Sequence, residues 1–148
     1  MDIAFHPAGR PEIAQLVQFM REYYAFDHLP FDEDRARGAL EALVGDETLG
    51  RVWVIRAGGA AIGYVVLTLG YSLEYGGRDA CIDELYVREA YRGQGGGSRT
   101  LSFVAEVCRA LGVCALHLEV ERANRGAYGV YRKAGFVDHD CYLMTKRV

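Results

Sequence analysis

Residues 91–98 read YRGQGGGS, with four glycines in eight positions. No other stretch of the chain narrows its fold so sharply. Glycine is the costliest residue to order, so a cluster of four needs a reason. What flanks the cluster supplies one. Before it, IDELYV (82–87) has the mixed apolar and β-branched character of a strand. After it, SRTLSFVAEVCRALG (98–112) carries Leu101, Val104, Ala105, Cys108 and Leu111 on one helical stripe, with Gly112 at the C′ position. A strand that runs through glycines into a helix leaves the first helical N–H groups without partners, at the positive end of the macrodipole. Glycines let an anion approach those groups without meeting a Cβ. The expected cradle is therefore Gly93, Gly95 and Gly97, with amides of residues 94–98 donating and Arg92 and Arg99 adding charge.

The two commonest nucleotide loops do not fit. A P-loop ends in Gly-Lys-Ser/Thr, and no lysine lies here. A dinucleotide fingerprint needs a third glycine at position 98, where Ser98 stands. The rest of the chain reads as one mixed α/β domain. A short strand in DIAFHPA (2–8) precedes helices in RPEIAQLVQFMREYY (10–24) and DEDRARGALEALVG (32–45). Asp32 is the expected N-cap of the second helix. Strands follow in RVWVIRA (51–57) and AAIGYVVLTLGYSLEY (60–75), linked by a Gly-Gly hairpin signal, and then in GGRDACIDELYVRE (76–89). Beyond the glycine helix, VCALHLEV (113–120) reads as a strand buried on both faces and NRGAYGVYRKAG (124–135) as a short helix capped by Asn124. FVDHDCYLMTKRV (136–148) is expected to supply one or two closing strands.

At 148 residues and a net charge of −3, the chain has the size of one domain and no basic excess for nucleic acid. Cys81, Cys108, Cys114 and Cys141 form no CxxC pair and are expected to be buried, reduced thiols. The four histidines show no metal-ligand spacing, so no metal is expected. The N-terminus lacks the apolar run of a signal peptide, and the longest apolar stretch is too short for a membrane span. A cytoplasmic protein is the expectation.

The segment VREAYRGQGGGSRTL resembles the diphosphate-binding loop of the GCN-five-related N-acetyltransferases, the GNAT superfamily. Their pattern Arg/Gln-x-x-Gly-x-Gly/Ala is met by Arg92, Gly95 and Gly97, within the fuller form YRGxGxG. A second signature follows: Asn124, Ala127, Tyr131, then Gly135-Phe136. Three positions depart from the pattern. Gly96 replaces a bulky apolar residue, Glu89 replaces a common proline, and Gly129 lies inside the short helix, where glycine costs about 1 kcal/mol relative to alanine.

The resemblance implies a mostly antiparallel sheet of six to seven strands flanked by about four helices, with the fourth and fifth strands splayed apart. It implies acetyl-CoA as co-substrate. Leu85, Tyr86 and Val87 would meet its pantetheine arm. Arg92, Gly93, Gln94, Gly95, Gly96, Gly97 and Ser98 would hold its diphosphate. Asn124, Ala127, Tyr128 and Tyr131 would lie along it. Tyr131 takes the family's general-acid position, with Tyr128 one turn earlier as reserve, and Asp83 or Glu84 is the expected base. Neighbours on a strand face opposite ways, so both carboxylates share one side only if a bulge intervenes.

The acceptor would be framed by Tyr24, Phe26 and Asp27, and by Tyr71 and Glu74 before the fourth strand. Aromatic faces and carboxylates suit a small cationic primary amine of polyamine or amino-sugar type. The alternatives are a non-catalytic acyl-CoA sensor on the same fold and a peptide or protein N-acetyltransferase. Members of the family often pair, which implies a homodimer.

Overall fold

The computed structural model describes all residues, 1–148. Its regular elements are β1 (Ile3–Pro7), α1 (Ile13–Phe26), α2 (Glu33–Val44), β2 (Gly50–Ala57), β3 (Ala60–Ser72), β4 (Gly77–Val87), α3 (Gly96–Ala110), β5 (Ala115–His117) and α4 (Arg125–Lys133). The five strands form one sheet in the order β1-β2-β3-β4-β5, antiparallel throughout except for the parallel pair β4–β5.

Period-2 alternation along β2 and β3 splits the core in two. Val52, Val54, Tyr64 and Val66 face α1 and α2, where Leu16, Val17, Phe19 and Leu40 meet them. Trp53, Val65 and Leu67 face the other way, onto Leu101, Val104 and Cys108 of α3. The domain is thus three layers, helix pair, sheet and helix. Local signals did what their chemistry dictates. Gly58 and Gly59 both take positive φ, 56° and 85°, and join β2 to β3 in a two-residue turn. The side chain of Asp32 accepts the Arg35 N–H at 3.2 Å and that of Asn124 accepts the Ala127 N–H at 3.1 Å, each capping its helix.

Three expectations are corrected. The sheet has five strands, not six or seven, because residues 136–148 form no strand. Their apolar and polar residues come in blocks (FV, DHD, CYLM, TKR) rather than alternating, so they lack the period of a half-buried strand. The segment 113–120 pairs only over Ala115–His117, and these residues are half-buried rather than enclosed, since β5 is an edge strand. The cysteines are all unbonded, yet only Cys108 is buried, Cys81 is half-buried, and Cys114 and Cys141 are exposed. Cys141 lies in the irregular tail, and Cys114 just before β5, its thiol donating to the Arg78 carbonyl at 3.2 Å.

Candidate active site

The register of β3 against β4 slips once. Val66 pairs with Glu84 and Leu67 with Ile82, so Asp83 has no partner and forms a β-bulge. The consequence is chemical. Ile82 points into the α3 core, whereas Glu84, two residues on, points to the α1 side and joins Tyr24 and Tyr64. In a regular strand the two would share a face. The bulge re-aims Glu84 and leaves Asp83 beside it, so adjacent carboxylates occupy one region.

Burial pushes the pKa of Glu84 up, and Asp83 adds to the rise, while hydrogen bonds from Tyr24 and Tyr64 pull it back. The Asp83 carboxyl also lies above its ordinary range through desolvation, although the residue as a whole is exposed. Tyr23 is pushed up by burial first and then by Asp27, Glu84 and Tyr131. A hydroxyl carried by α4 thus lies within electrostatic reach of the α1 aromatics that surround Glu84.

That reach exists because β4 and β5 part company. They pair only at Asp79–Ala115, Ala80–Leu116 and Cys81–His117. Beyond Cys81 the outer edge of β4 has no strand neighbour. The Arg88 N–H donates to Ile62 O at 2.8 Å on the β3 side, so by alternation the main-chain groups of Leu85 and Val87 face the gap. The Val87 carbonyl already accepts Nε of Arg92 at 2.7 Å.

The gap leads to the glycine loop. Gly93 and Gly95 have φ of 73° and 84°, a region that side-chain-bearing residues avoid, and Gly95 is the N-cap of α3. The first helical bond runs from the Arg99 N–H to Gly95 O at 3.1 Å, which leaves the N–H groups of Gly96, Gly97 and Ser98 without helical acceptors. The Arg92 guanidinium lies against α1 and β4, 4.3 Å from the Phe26 ring centre and 5.5 Å from that of Tyr86. Gln94 is turned back, with its amide on Ala90 O at 3.4 Å. Arg99 bonds the Met1 carbonyl and is directed away from the loop.

On the far side of the gap, α4 carries Tyr131. It is half-buried against Phe136, with ring centres 6.2 Å apart, and burial raises its pKa. Its hydroxyl has no protein partner. That of Tyr128 donates to Asp138 at 3.1 Å. A cleft of ≈ 720 Å³ between α3, β5 and α4 has Tyr131 and Tyr128 on its wall but neither Asp83 nor Glu84.

The residues expected to frame an acceptor divide. Tyr24 bonds Glu84. Phe26 stacks on Arg92 instead, beside the loop, and Asp27 caps α1. Tyr71 is 75% exposed, and both it and Glu74 lie at the β3–β4 hairpin end. With about 3.3 Å per strand residue, Tyr71 is some 16 Å from Val66 and its partner Glu84, and Glu74 lies beyond the end of β3.

Sequence reasoning missed Tyr64, which is fully buried and bonds Glu84 at 2.6 Å. Its even spacing with Val66 was legible, but its partner was not. It also missed a clamp between α1 and β4. Glu22 accepts Nε and Nη2 of Arg88 at 3.0 and 2.9 Å and the Tyr86 hydroxyl at 3.0 Å. Nothing in the local pattern marks a pairing across so many residues.

Comparison with known proteins agrees with this geometry. The model of the Acetyltransferase (GNAT) family matches residues 13–136. Over 81 residues the chain is 36% identical to thialysine N-epsilon-acetyltransferase of Bos taurus, a match covering 55% of this chain and 47% of that protein. The chain thus spans about half the length of the curated relatives it matches. The crystal structure of Integron Cassette Protein HFX_CASS3, from the mobile metagenome of Cole Harbour Salt Marsh, superposes with a TM-score of 0.87 at 37% identity, covering 97% of this chain and 90% of that one. A protein described as a predicted acetyltransferase from Clostridium acetobutylicum, solved with acetyl-CoA, shares the fold at 16% identity, with a TM-score of 0.82 over 98% of this chain and 96% of that one. By the family model, which covers most of its length, the chain belongs to the GNAT acetyltransferase family.

Proposed function

We propose that the protein transfers the acetyl group of acetyl-CoA to a primary amine on a small cationic molecule, of polyamine or amino-sugar type. The observation that carries the reading is the opening between β4 and β5 beyond Cys81, with the glycine loop at its mouth, the Asp83–Glu84 pair on one side and Tyr131 on the other. The relatives named for thialysine acetylation favour an amine acceptor.

In this reading the amides of Gly96, Gly97 and Ser98 and the Arg92 guanidinium hold the diphosphate, with Gly93, Gln94 and Gly95 shaping the loop. The free main-chain groups of Leu85 and the Val87 N–H pair with the pantetheine amides, with Tyr86 between them on the opposite face. Asn124, Ala127 and Tyr128 line the far side. The acceptor enters from the α1 side. An alkylammonium has a pKa near 10.4, so freeing its lone pair at pH 7 costs about 4.6 kcal/mol. The Asp83–Glu84 pair serves as the local acceptor that passes this proton on to solvent. The amine nitrogen then attacks the thioester carbonyl carbon, and collapse of the adduct breaks the C–S bond. Tyr131, protonated at neutral pH and more firmly so for being buried, gives its proton to the departing thiolate and is reprotonated through solvent by the second proton that the nitrogen sheds as it becomes an amide.

The test is thiol release from acetyl-CoA across a panel of polyamines, aminoglycosides, amino acids and peptides. Release driven by small cationic amines is expected. Tight binding of acetyl-CoA with no turnover of any amine would instead establish a sensor, and release with peptides alone a protein acetyltransferase.

We also propose that two copies associate. The tail leaves Tyr142, Leu143 and Met144 at 89%, 73% and 88% exposure, and β5 offers an open edge. Light scattering that returns a monomer at micromolar concentration would refute this.

A further inference from the structure

Glu84 accepts a hydroxyl on each of its carboxylate oxygens. Tyr24 of α1 donates to Oε2, and Tyr64 of β3 donates to Oε1 at 2.6 Å. Other titratable groups facing it are Tyr23 from α1 and Asp83 from β4. The next residue on that face of β4, Tyr86, is committed to Glu22, as is Arg88. No lysine, arginine or histidine bonds or ion-pairs with Glu84.

This choice of partners has a physical consequence. An arginine would orient the carboxylate but cancel its charge. Two neutral hydroxyls orient it and leave the full negative charge for something else. A protonated Glu84 would have to donate, so one tyrosine would lose its acceptor or reverse its bond. The two tyrosines therefore favour the carboxylate, against burial and the neighbouring Asp83, which favour the acid.

We propose that Tyr24 and Tyr64 are positioning residues that keep Glu84 ionised and fixed in direction at neutral pH, so that a cationic acceptor meets a preformed anion. The inference rests on the reading of the α1 side as the acceptor side. It extends that reading to residues that act on the amine through Glu84.

Carboxyl-carbon NMR titration tests it on the whole chain without turnover. The Glu84 signal is assigned by its loss in Glu84→Gln, then followed with pH in the native protein, Tyr24→Phe and Tyr64→Phe. Removing one charge-assisted donor is expected to raise the Glu84 pKa by about one unit. The acid limb of kcat/KM for the amine should move up with it, while the KM for acetyl-CoA stays unchanged. Tyr24 is only half-buried, so Tyr24→Phe serves even if Tyr64→Phe fails to fold. A Tyr24→Phe variant that melts earlier but titrates Glu84 as the native protein does overturns the proposal, since that is what a merely structural role gives. Amine turnover left intact by Glu84→Gln would instead overturn the acceptor-side reading. The titration would then still decide whether the hydroxyls hold the charge.

Discussion

Tyr131 carries the sharpest consequence of the proposed chemistry. Its hydroxyl is unpartnered, half-buried and protonated at neutral pH, so Tyr131→Phe removes a proton donor and little else. The kcat is expected to fall roughly 10²–10⁴-fold, the usual worth of a positioned acid, with acetyl-CoA affinity retained. Steady-state kinetics with a titration of acetyl-CoA binding checks this, and an unchanged kcat removes Tyr131 from the role. Asp83 makes a prediction about stability instead. Its pKa in the fold lies above the ordinary 3.8. A carboxyl raised by folding favours the folded state least when ionised, so its cost appears as pH rises through the folded value and is absent below the unfolded one. Asp83→Asn should therefore raise the melting temperature at pH 7, and the gain should vanish near pH 3. A gain that persists at pH 3 would show that the carboxyl's ionisation is not its cause. Glu22 has the opposite sign. The Arg88 guanidinium holds it below 4.5, so its stabilisation is present above that value and is lost as pH falls through the depressed one.

Between residues and fold stands the strand–loop–helix unit β4–α3. The bulge at Asp83 and the left-handed Gly95 do separate jobs in it. The first turns a carboxylate toward α1, and the second opens the amides of α3. At Gly95 an added Cβ meets no atom within 4 Å, so the cost of substitution lies in φ of 84° rather than in crowding. Gly95→Val is expected to weaken acetyl-CoA binding at least tenfold, with strain of about 1–3 kcal/mol. Calorimetry of binding checks the first figure, and normal affinity would count against the cradle. The clamp formed by Glu22, Arg88 and Tyr86 ties α1 to the end of β4, and Phe26 extends the tie to Arg92. The sides of the proposed site that meet acceptor and thioester carrier are thereby joined through one helix.

For the molecule as a whole, the division of labour is between a packed half and an open half. Leu16, Phe19, Tyr64 and Val65 are fully buried in and around β2 and β3. The β5–α4 side has no buried residue in α4, three paired residues in β5 and an irregular tail. No helix is long and apolar enough to cross a membrane. A ligand seated between the halves should stabilise the open one. Acetyl-CoA at a hundred times its dissociation constant is expected to add about 2.7 kcal/mol to folding stability. Thermal denaturation with acetyl-CoA, ATP and NAD measures this, and a rise with a nucleotide but none with acetyl-CoA would reverse the ligand assignment.

How far the primary sequence reaches can be judged from single positions. The caps at Asp32 and Asn124, the Gly-Gly hairpin at 58–59 and the glycine loop depend on neighbours a few residues away, so spacing alone announced them. The loop and the Asn124–Phe136 signature were enough to indicate the family. Pairings between distant segments were beyond that reach. The bulge at Asp83 exists only in the register of β4 against β3, and the grip of Tyr64 on Glu84 only once both strands and α1 are assembled. The tail shows the converse, a run with strand-forming residue types but no period-2 order, which forms no strand although the outer edge of β5 is free. What is local in the chain was readable as letters, and what depends on which edges meet waited for the packed molecule.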